Sequence, residues 1–188
     1  MDKFAILTVV SISLIIVGAI YFACYEVSLF GKWSGGKILL KRFNDWYEAE
    51  KRMNRRYWLN ATPISLIAGK REAYRPELTS VELYLFWPDA LGFNIGQRVE
   101  NADINKRLAG TIYRPCPHST VVNLGIREID FKGIGAERIV VVTEPFDDYG
   151  SKGYLCFDSN GVTGQPQISF LRLPLIVTKD MKLVVARK

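Results

Sequence analysis

The longest apolar run in the chain lies near its start, from Phe4 to Tyr25, and contains no charged residue. At about 1.5 Å per residue, a helix of this length crosses a hydrocarbon core of about 30 Å. The run is longer than the core of a cleavable signal peptide, and Tyr21-Phe22-Ala23-Cys24 offers no small-x-small cleavage site. The pattern therefore predicts a retained transmembrane anchor over residues 4–25, behind a short tail of residues 1–3.

A short joint and a helical pattern follow the anchor. Residues 26–36 contain three glycines and predict a flexible juxtamembrane joint. In residues 37–59 the apolar positions recur at spacings of three, four and seven, which fall on one face of a helix. This apolar stripe comprises Leu39, Phe43, Trp46, Met53 and Tyr57. Basic residues occupy much of the remainder, so the stretch predicts a basic amphipathic helix.

Alternation of apolar and polar positions begins near Ser80 and predicts strands in much of the remaining chain. The predicted strands are Val81 to Trp87, Thr120 to Leu124, Arg127 to Phe131, Arg138 to Thr143, Gly153 to Phe157, Ile168 to Val177 and Lys182 to Ala186. Turn sequences at Asp147 to Gly150 and Asp158 to Gly161 predict hairpins. Ala102 to Leu108 predicts a short helix, and Pro174 predicts an edge position or a bulge.

Together these elements predict an α+β fold. It comprises one N-terminal transmembrane helix, a basic amphipathic helix, and a mainly antiparallel β-sheet domain over residues 60–188. Strands do not alternate regularly with helices, so the pattern does not favour a parallel doubly wound sheet.

The charge is unevenly distributed. The net charge is +6, and the stretch from Lys32 to Arg75 contains eleven basic residues and four acidic ones. A basic stretch beside a membrane span favours contact with anionic lipid headgroups. No nucleic-acid-binding motif accompanies the charge, so we expect no nucleic-acid partner.

Two interpretations of the amphipathic helix remain open. Its apolar stripe packs on the sheet of the domain, or the helix lies on the membrane surface or against a partner protein. The residues expected to make the membrane-surface or partner contact are Lys41, Arg42, Trp46, Lys51, Arg52, Arg55, Arg56 and Trp58.

The chain has three cysteines, of which Cys24 lies at the end of the predicted span. Cys116 and Cys156 lie in the domain and could form a disulfide in an oxidising compartment. Reduced thiols packed in the core are the alternative. The pairing is therefore tied to the side of the membrane on which the domain lies.

His118 is the only histidine and lies two residues after Cys116 in a proline-rich loop. The two are weak catalytic candidates, since a thiol–imidazole pair needs the base within hydrogen-bond reach of the nucleophile. With one histidine and no C-x-x-C, we expect no metal site. Residues 31–37 match the phosphate-loop spacing, but Ile38 stands where the magnesium-binding hydroxyl belongs. We therefore expect no cofactor.

The orientation of the domain is open. Basic residues close behind the span favour a cytoplasmic domain. Signal anchors commonly export the domain that follows them, and a disulfide would agree with export. We favour the extracytoplasmic side, which is the periplasm in a bacterial cell, over the cytoplasm.

Because candidate catalytic groups are sparse, the leading expectation is a non-enzymatic, membrane-anchored binding or scaffolding subunit of a membrane-associated assembly. Its expected partners are the lipid bilayer and another membrane or envelope protein, and the chain could also form an oligomer. Alternatives are a small anchored immunity or phage lysis-control protein, a membrane-tethered sensor domain that binds a ligand, and an anchored hydrolase or thiol enzyme using His118. A well-formed apolar pocket would favour the sensor, and pairing of His118 with a nucleophile in a cleft would favour the enzyme.

Overall fold

The computed structural model describes residues 32–59, 61–161 and 164–188. The predicted anchor at residues 4–25 and most of the predicted joint lie outside these ranges. Within them, every helix is too short or too polar to cross a bilayer.

The architecture is mixed α/β and is built on one large sheet. Its strands are β2 (Gly36–Leu39), β3 (Trp58–Leu59), β4 (Ser80–Phe86), β6 (Tyr113–Arg114), β8 (Arg138–Asp148), β9 (Ser151–Asp158), β10 (Gln167–Arg172) and β12 (Met181–Arg187). The strand order is β2-β4-β12-β8-β9-β10-β3, and β6 also pairs with β12. Only the β12–β8 and β10–β3 pairs are parallel. The prediction of a mostly antiparallel sheet is confirmed.

Two small two-stranded sheets complete the β structure in the part of the chain described. β1 (Lys32–Trp33) pairs in parallel with β7 (Glu128–Ile129). β5 (Arg98–Val99) pairs antiparallel with β11 (Leu175–Ile176).

Helices cover the two faces of the large sheet. They are α1 (Trp46–Met53), α2 (Ala61–Ala68), α3 (Arg71–Tyr74), α4 (Asn101–Leu108), α5 (Ser119–Gly125) and α6 (Phe131–Ile134), with a 3₁₀ turn at Pro88–Leu91. Buried residues of α1, α2, α3, α5 and α6 form a first core with Ile139 and Val141 of β8. Residues of α4 form a second core with Val140 and Val142. Because successive strand residues face opposite sides, β8 contributes to both cores.

The hairpin between β8 and β9 forms as the turn sequence predicts. Tyr149 and Gly150 both have positive φ, 51° and 86°. The Asp147 carboxylate accepts a hydrogen bond from the Gly150 amide at 2.7 Å. Glycine adopts this conformation at little steric cost, and an aspartate before it satisfies the turn backbone.

The predicted helix over residues 37–59 is wrong in extent. Gly36–Leu39 is a strand that pairs with β4, and Trp58–Leu59 is a strand that pairs with β10. Only Trp46–Met53 is helical, beginning where the Asp45 carboxylate accepts a hydrogen bond from the Glu48 amide at 2.9 Å. An N-cap of this kind satisfies a free amide and fixes the start of a helix. The apolar residues that share a helical spacing thus lie in β2, in α1 and in the segments on either side of α1.

The apolar stripe predicted for that helix nevertheless lies inward. Phe43, Met53 and Tyr57 are buried in the first core, and Trp46 packs against it, with its ring centroid 6.4 Å from that of Tyr74. The interpretation in which the stripe packs on the domain is therefore confirmed for these residues.

Two further predictions need correction. Thr120 to Leu124 was expected to be a strand, but Ser119–Gly125 is a helix in which every residue is buried. A short segment that is buried on all sides lacks the contrast between apolar and polar faces that separates helix from strand. The single strand expected from Ile168 to Val177 is divided at Leu173–Pro174, and its second part pairs with β5. Proline has no amide hydrogen to continue a ladder, which explains the break.

Candidate functional site

The two weak catalytic candidates, Cys116 and His118, have separate partners. Nε2 of His118 donates to the Glu144 carbonyl oxygen at 2.9 Å, and Nδ1 lies 3.5 Å from a Glu72 carboxylate oxygen. The imidazole also packs edge-on against Phe146, with ring centroids 4.6 Å apart. The Cys116 thiol instead donates to the Val184 carbonyl oxygen at 3.5 Å. Burial lowers the pKa of His118. These contacts are typical of a structural histidine that joins β8 to α3.

The possible disulfide between Cys116 and Cys156 does not form in this structure, and the alternative of reduced, packed thiols fits the two residues. Both thiols are free and buried. Cys116 belongs to the first core and Cys156 to the second, so the sheet lies between them. The sequence could not show this, because it does not reveal on which face of the sheet each thiol lies.

Both thiols are expected to be chemically inert in the folded protein. Burial raises the pKa of the Cys116 thiol, and burial together with the nearby Asp158 carboxylate raises the pKa of Cys156 to about 12. Only the thiolate reacts with alkylating agents, and it is scarce near neutral pH when the pKa is raised. Treatment with iodoacetamide at pH 8, followed by peptide mass spectrometry, should modify these two positions only after unfolding in urea.

Prior reduction should leave that labelling pattern unchanged. Alkylation of either thiol in the folded chain, or a peptide pair linked through Cys116 and Cys156, would contradict the assignment of both as buried free thiols. The alkylated fraction of Cys24, measured in the same digest, serves as an internal comparison for Cys116 and Cys156.

A polar cluster lies beside Cys156. The Asp158 carboxylate is 5% exposed and accepts from Nε of Arg138 at 2.5 Å and from Oγ of Ser169 at 2.5 Å. Ser169 Oγ is also 3.1 Å from the Cys156 sulfur. The cluster ties together β8, β9 and β10, and it keeps a buried carboxylate paired, as its desolvation requires.

The residues predicted to contact a membrane or partner divide into two groups. The first makes contacts within the domain. Arg52 pairs with Glu48 at 3.3 Å, and Arg56 donates to the Ile126 carbonyl oxygen at 3.1 Å. The backbone amide of Lys41 donates to the Asn123 side chain at 2.6 Å. Trp46 is half-buried, as described above.

The second group projects outward and is defined here as the basic-aromatic surface. It consists of Arg42, Tyr47, Lys51, Arg55 and Trp58, all of which are exposed. Tyr47 is 78% exposed, and Trp58 is 42% exposed. Tyr47 and Lys51 are one helical turn apart on α1, so they share a face. Exposed aromatic and basic side chains on one segment can contact lipid headgroups or a protein.

A cavity that the sequence analysis missed opens at one end of the sheet. It has a volume of about 450 Å³ and lies between the end of β4, the loop after the 3₁₀ turn and the β11–β12 turn. Its apolar lining includes Trp87, Phe93 and Ile95, and its polar lining includes Asp89 and Lys179. A concave, largely apolar site with a few polar groups is the usual form of a small-ligand pocket.

No family model, curated protein or solved structure matches this chain. In residues 32–59, 61–161 and 164–188 there is also no group of three His, Cys, Asp or Glu side chains that could hold a metal ion. The basic-aromatic surface and the cavity beside Trp87 are two candidate surfaces of the described part of the chain.

Proposed function

We propose that this protein is a membrane-anchored, non-enzymatic binding subunit, whose basic-aromatic surface contacts the bilayer or a membrane protein beside the anchor. The observation that carries the proposal is the position of the charge. Residues 32–75 contain eleven basic and four acidic side chains, whereas residues 76–188 contain thirteen of each. The entire excess of positive charge thus follows closely behind the apolar run at residues 4–25.

The exposed members of this charged segment have the chemistry of a membrane-surface contact. Each Lys or Arg near an anionic leaflet contributes about 1 kcal/mol of attraction. Lys51 and Arg55 are exposed, and the aromatic rings of Tyr47 and Trp58 are accessible beside them in the sequence. Tyrosine and tryptophan favour the headgroup region. Anchoring would also raise the effective concentration of the domain near membrane partners.

We propose that the domain lies on the cytoplasmic side of the membrane, and not on the extracytoplasmic side that the sequence alone favoured. The sequence-based preference for export depended in part on a disulfide between Cys116 and Cys156, and both thiols are free and buried. What remains is the basic segment after the span, which favours retention on the cytoplasmic side.

The experiment that tests the proposal compares two exposed tyrosines. Tyr47 is 78% exposed on the basic-aromatic surface, and Tyr149 is fully exposed at the β8–β9 turn. A photoreactive amino acid is placed at either position in the full-length chain, and cells are irradiated. We expect adducts with lipid or with a membrane protein from position 47 and few or none from position 149, because only the former lies on the proposed contact surface.

Equal adduct yields from the two positions, or adducts from position 149 alone, would contradict the proposed contact surface. Lipid adducts would identify the bilayer as the contact, and a discrete protein adduct would identify a protein partner. Substituting Glu at Lys51 and Arg55 should reduce the yield from position 47. Substituting Glu at Arg98 of β5 and Lys106 of α4, which are exposed and lie outside the basic-aromatic surface, is the matched control.

A second candidate function is favoured by a specific observation. The cavity beside Trp87, at about 450 Å³, falls in the range of ligand pockets and supports the alternative of a membrane-tethered sensor domain. The anchored hydrolase or thiol enzyme gains no such support, because His118 and Cys116 are each bound to separate backbone carbonyl groups.

A further inference from the structure

We propose that the cavity beside Trp87 binds a small aromatic zwitterion, of the size and charge of a free aromatic amino acid. The inference deepens the sensor alternative and rests on it, and it does not depend on the membrane anchor.

The framework of the cavity is held by backbone hydrogen bonds. The Phe93 amide donates to the Pro88 carbonyl oxygen at 3.0 Å, which closes the 3₁₀ turn. The Gly96 amide donates to the Val177 carbonyl oxygen at 2.8 Å, and the Val177 amide donates to the Gln97 carbonyl oxygen at 3.0 Å. This pair of bonds joins the loop after the 3₁₀ turn to β11. Because both walls are fixed in this way, binding needs little ordering of the backbone.

Aromatic and aliphatic groups line the cavity. Phe93 and Val177 are each 2% exposed and form its inner part. Trp87 is 37% exposed and Ile95 is 73% exposed, so both leave apolar surface accessible at the cavity. The ammonium group of Lys182 lies 4.4 Å from the centroid of the Trp87 ring, and it donates to the Ile134 carbonyl oxygen at 2.7 Å. These contacts hold the indole in place, so it can act as a preformed wall for an apolar or aromatic group.

The charges specify the ligand further. Asp89 and Lys179 both line the cavity, and both are exposed. Within the described ranges neither takes part in an ion pair shorter than 4.0 Å. A purely anionic ligand would be attracted by Lys179 and repelled by Asp89, and a cationic ligand would meet the reverse. A zwitterion with an aromatic side chain matches the acid, the base and the apolar walls at once.

The test uses the full-length chain in nanodiscs of uncharged lipid and measures binding by titration calorimetry. L-Phenylalanine is compared with phenylethylamine, which lacks the carboxylate, and with 3-phenylpropionate, which lacks the ammonium group. We expect phenylalanine to bind up to about fivefold more tightly than either analogue, because each analogue loses one exposed charge pair. Trp87→Ala should weaken phenylalanine binding by up to about tenfold.

Ile95→Ser is a second cavity variant at a largely exposed position, and it keeps the test valid if Trp87→Ala fails to fold. Lys179→Met should abolish the preference for phenylalanine over phenylethylamine, whereas Lys152→Met, an exposed change outside the cavity, should preserve it. No binding of phenylalanine at millimolar concentration, or equal binding of the singly charged analogues, would overturn the inference. Unchanged affinity in both cavity variants would also overturn it. Loss of the protein from the nanodiscs would count against the anchor alone.

Discussion

Replacing Arg127 with Met is expected to lower the free energy of unfolding by about 3 kcal/mol. Arg127 is only 2% exposed. It donates to the Asn123 carbonyl oxygen of α5 and to the Leu39 carbonyl oxygen of β2, the latter at 3.0 Å. Methionine fills much of the same volume but donates nothing, so these two contacts are lost together. Urea denaturation of the full-length chain in detergent, followed by tryptophan fluorescence, measures the difference.

The matched control is Arg98→Met, which removes an exposed arginine from β5 and should change the free energy of unfolding by less than about 0.5 kcal/mol. Arg127→Lys separates charge from geometry. A single ammonium cannot reproduce the guanidinium fork, so lysine should recover only part of the loss. Equal stability of Arg127→Met and the control would show that the buried guanidinium does not hold β2 to α5.

Replacing Gly153 with Ala is expected to destabilise the sheet by a similar amount, about 3 kcal/mol. Gly153 is a buried residue of β9, flanked by β8 and β10. A Cβ atom at this position would clash with the Leu171 carbonyl oxygen and would lie 2.6 Å from Cζ of Phe170. A backbone carbonyl in a paired strand cannot move aside as a flexible side chain can. The same urea denaturation measures the cost.

Gly69→Ala is the control for this change. A Cβ atom there would lie 3.4 Å from the Ser65 carbonyl oxygen, which is an ordinary contact, and the residue is exposed after α2. The control should therefore stay within about 1 kcal/mol of the unchanged protein. If Gly153→Ala were as stable as Gly69→Ala, the close approach of β10 to β9 in this structure would be incorrect.

The strands that carry an apolar and polar alternation, or a strong turn signal, could be predicted from the sequence. Ser80–Phe86 and the β8–β9 hairpin agree with their predictions because both depend on local chemistry. The helix at Ser119–Gly125 could not be predicted, because all seven of its residues are buried, including the polar Ser119, Thr120 and Asn123, so no exposed polar face marks it as a helix. The prediction of one helix over residues 37–59 was wrong because the amphipathic pattern there is present without a continuous helix. Residues of β2, of α1 and of the segments beside α1 occupy positions whose spacing imitates one helix.

The candidate sites were harder to predict from the sequence than the strands, because the fold brings their residues together. The cavity joins Trp87 and Phe93 to Val177, which is about ninety positions later in the chain, and no local pattern connects them. The two cysteines of the domain show the same limit. The presence of Cys116 and Cys156 suggested a disulfide, but they lie on opposite faces of the sheet, so the bond cannot form without refolding. The charged segment is different, because its excess of basic residues is a property of the sequence itself.

The most direct test of the account is whether the full-length protein stays in the membrane without its surface contacts. Membranes containing the chain are washed with alkaline carbonate, which removes peripheral proteins, and the pellet is compared with that of a variant carrying Val10→Lys and Ile15→Lys. Each lysine at the centre of a span costs about 2.5–3.5 kcal/mol. We predict that the unchanged chain remains in the pellet until detergent is added and that the double-lysine variant is released. Release of the unchanged chain by carbonate, or its recovery as a freely soluble protein without detergent, would contradict the membrane-anchored account.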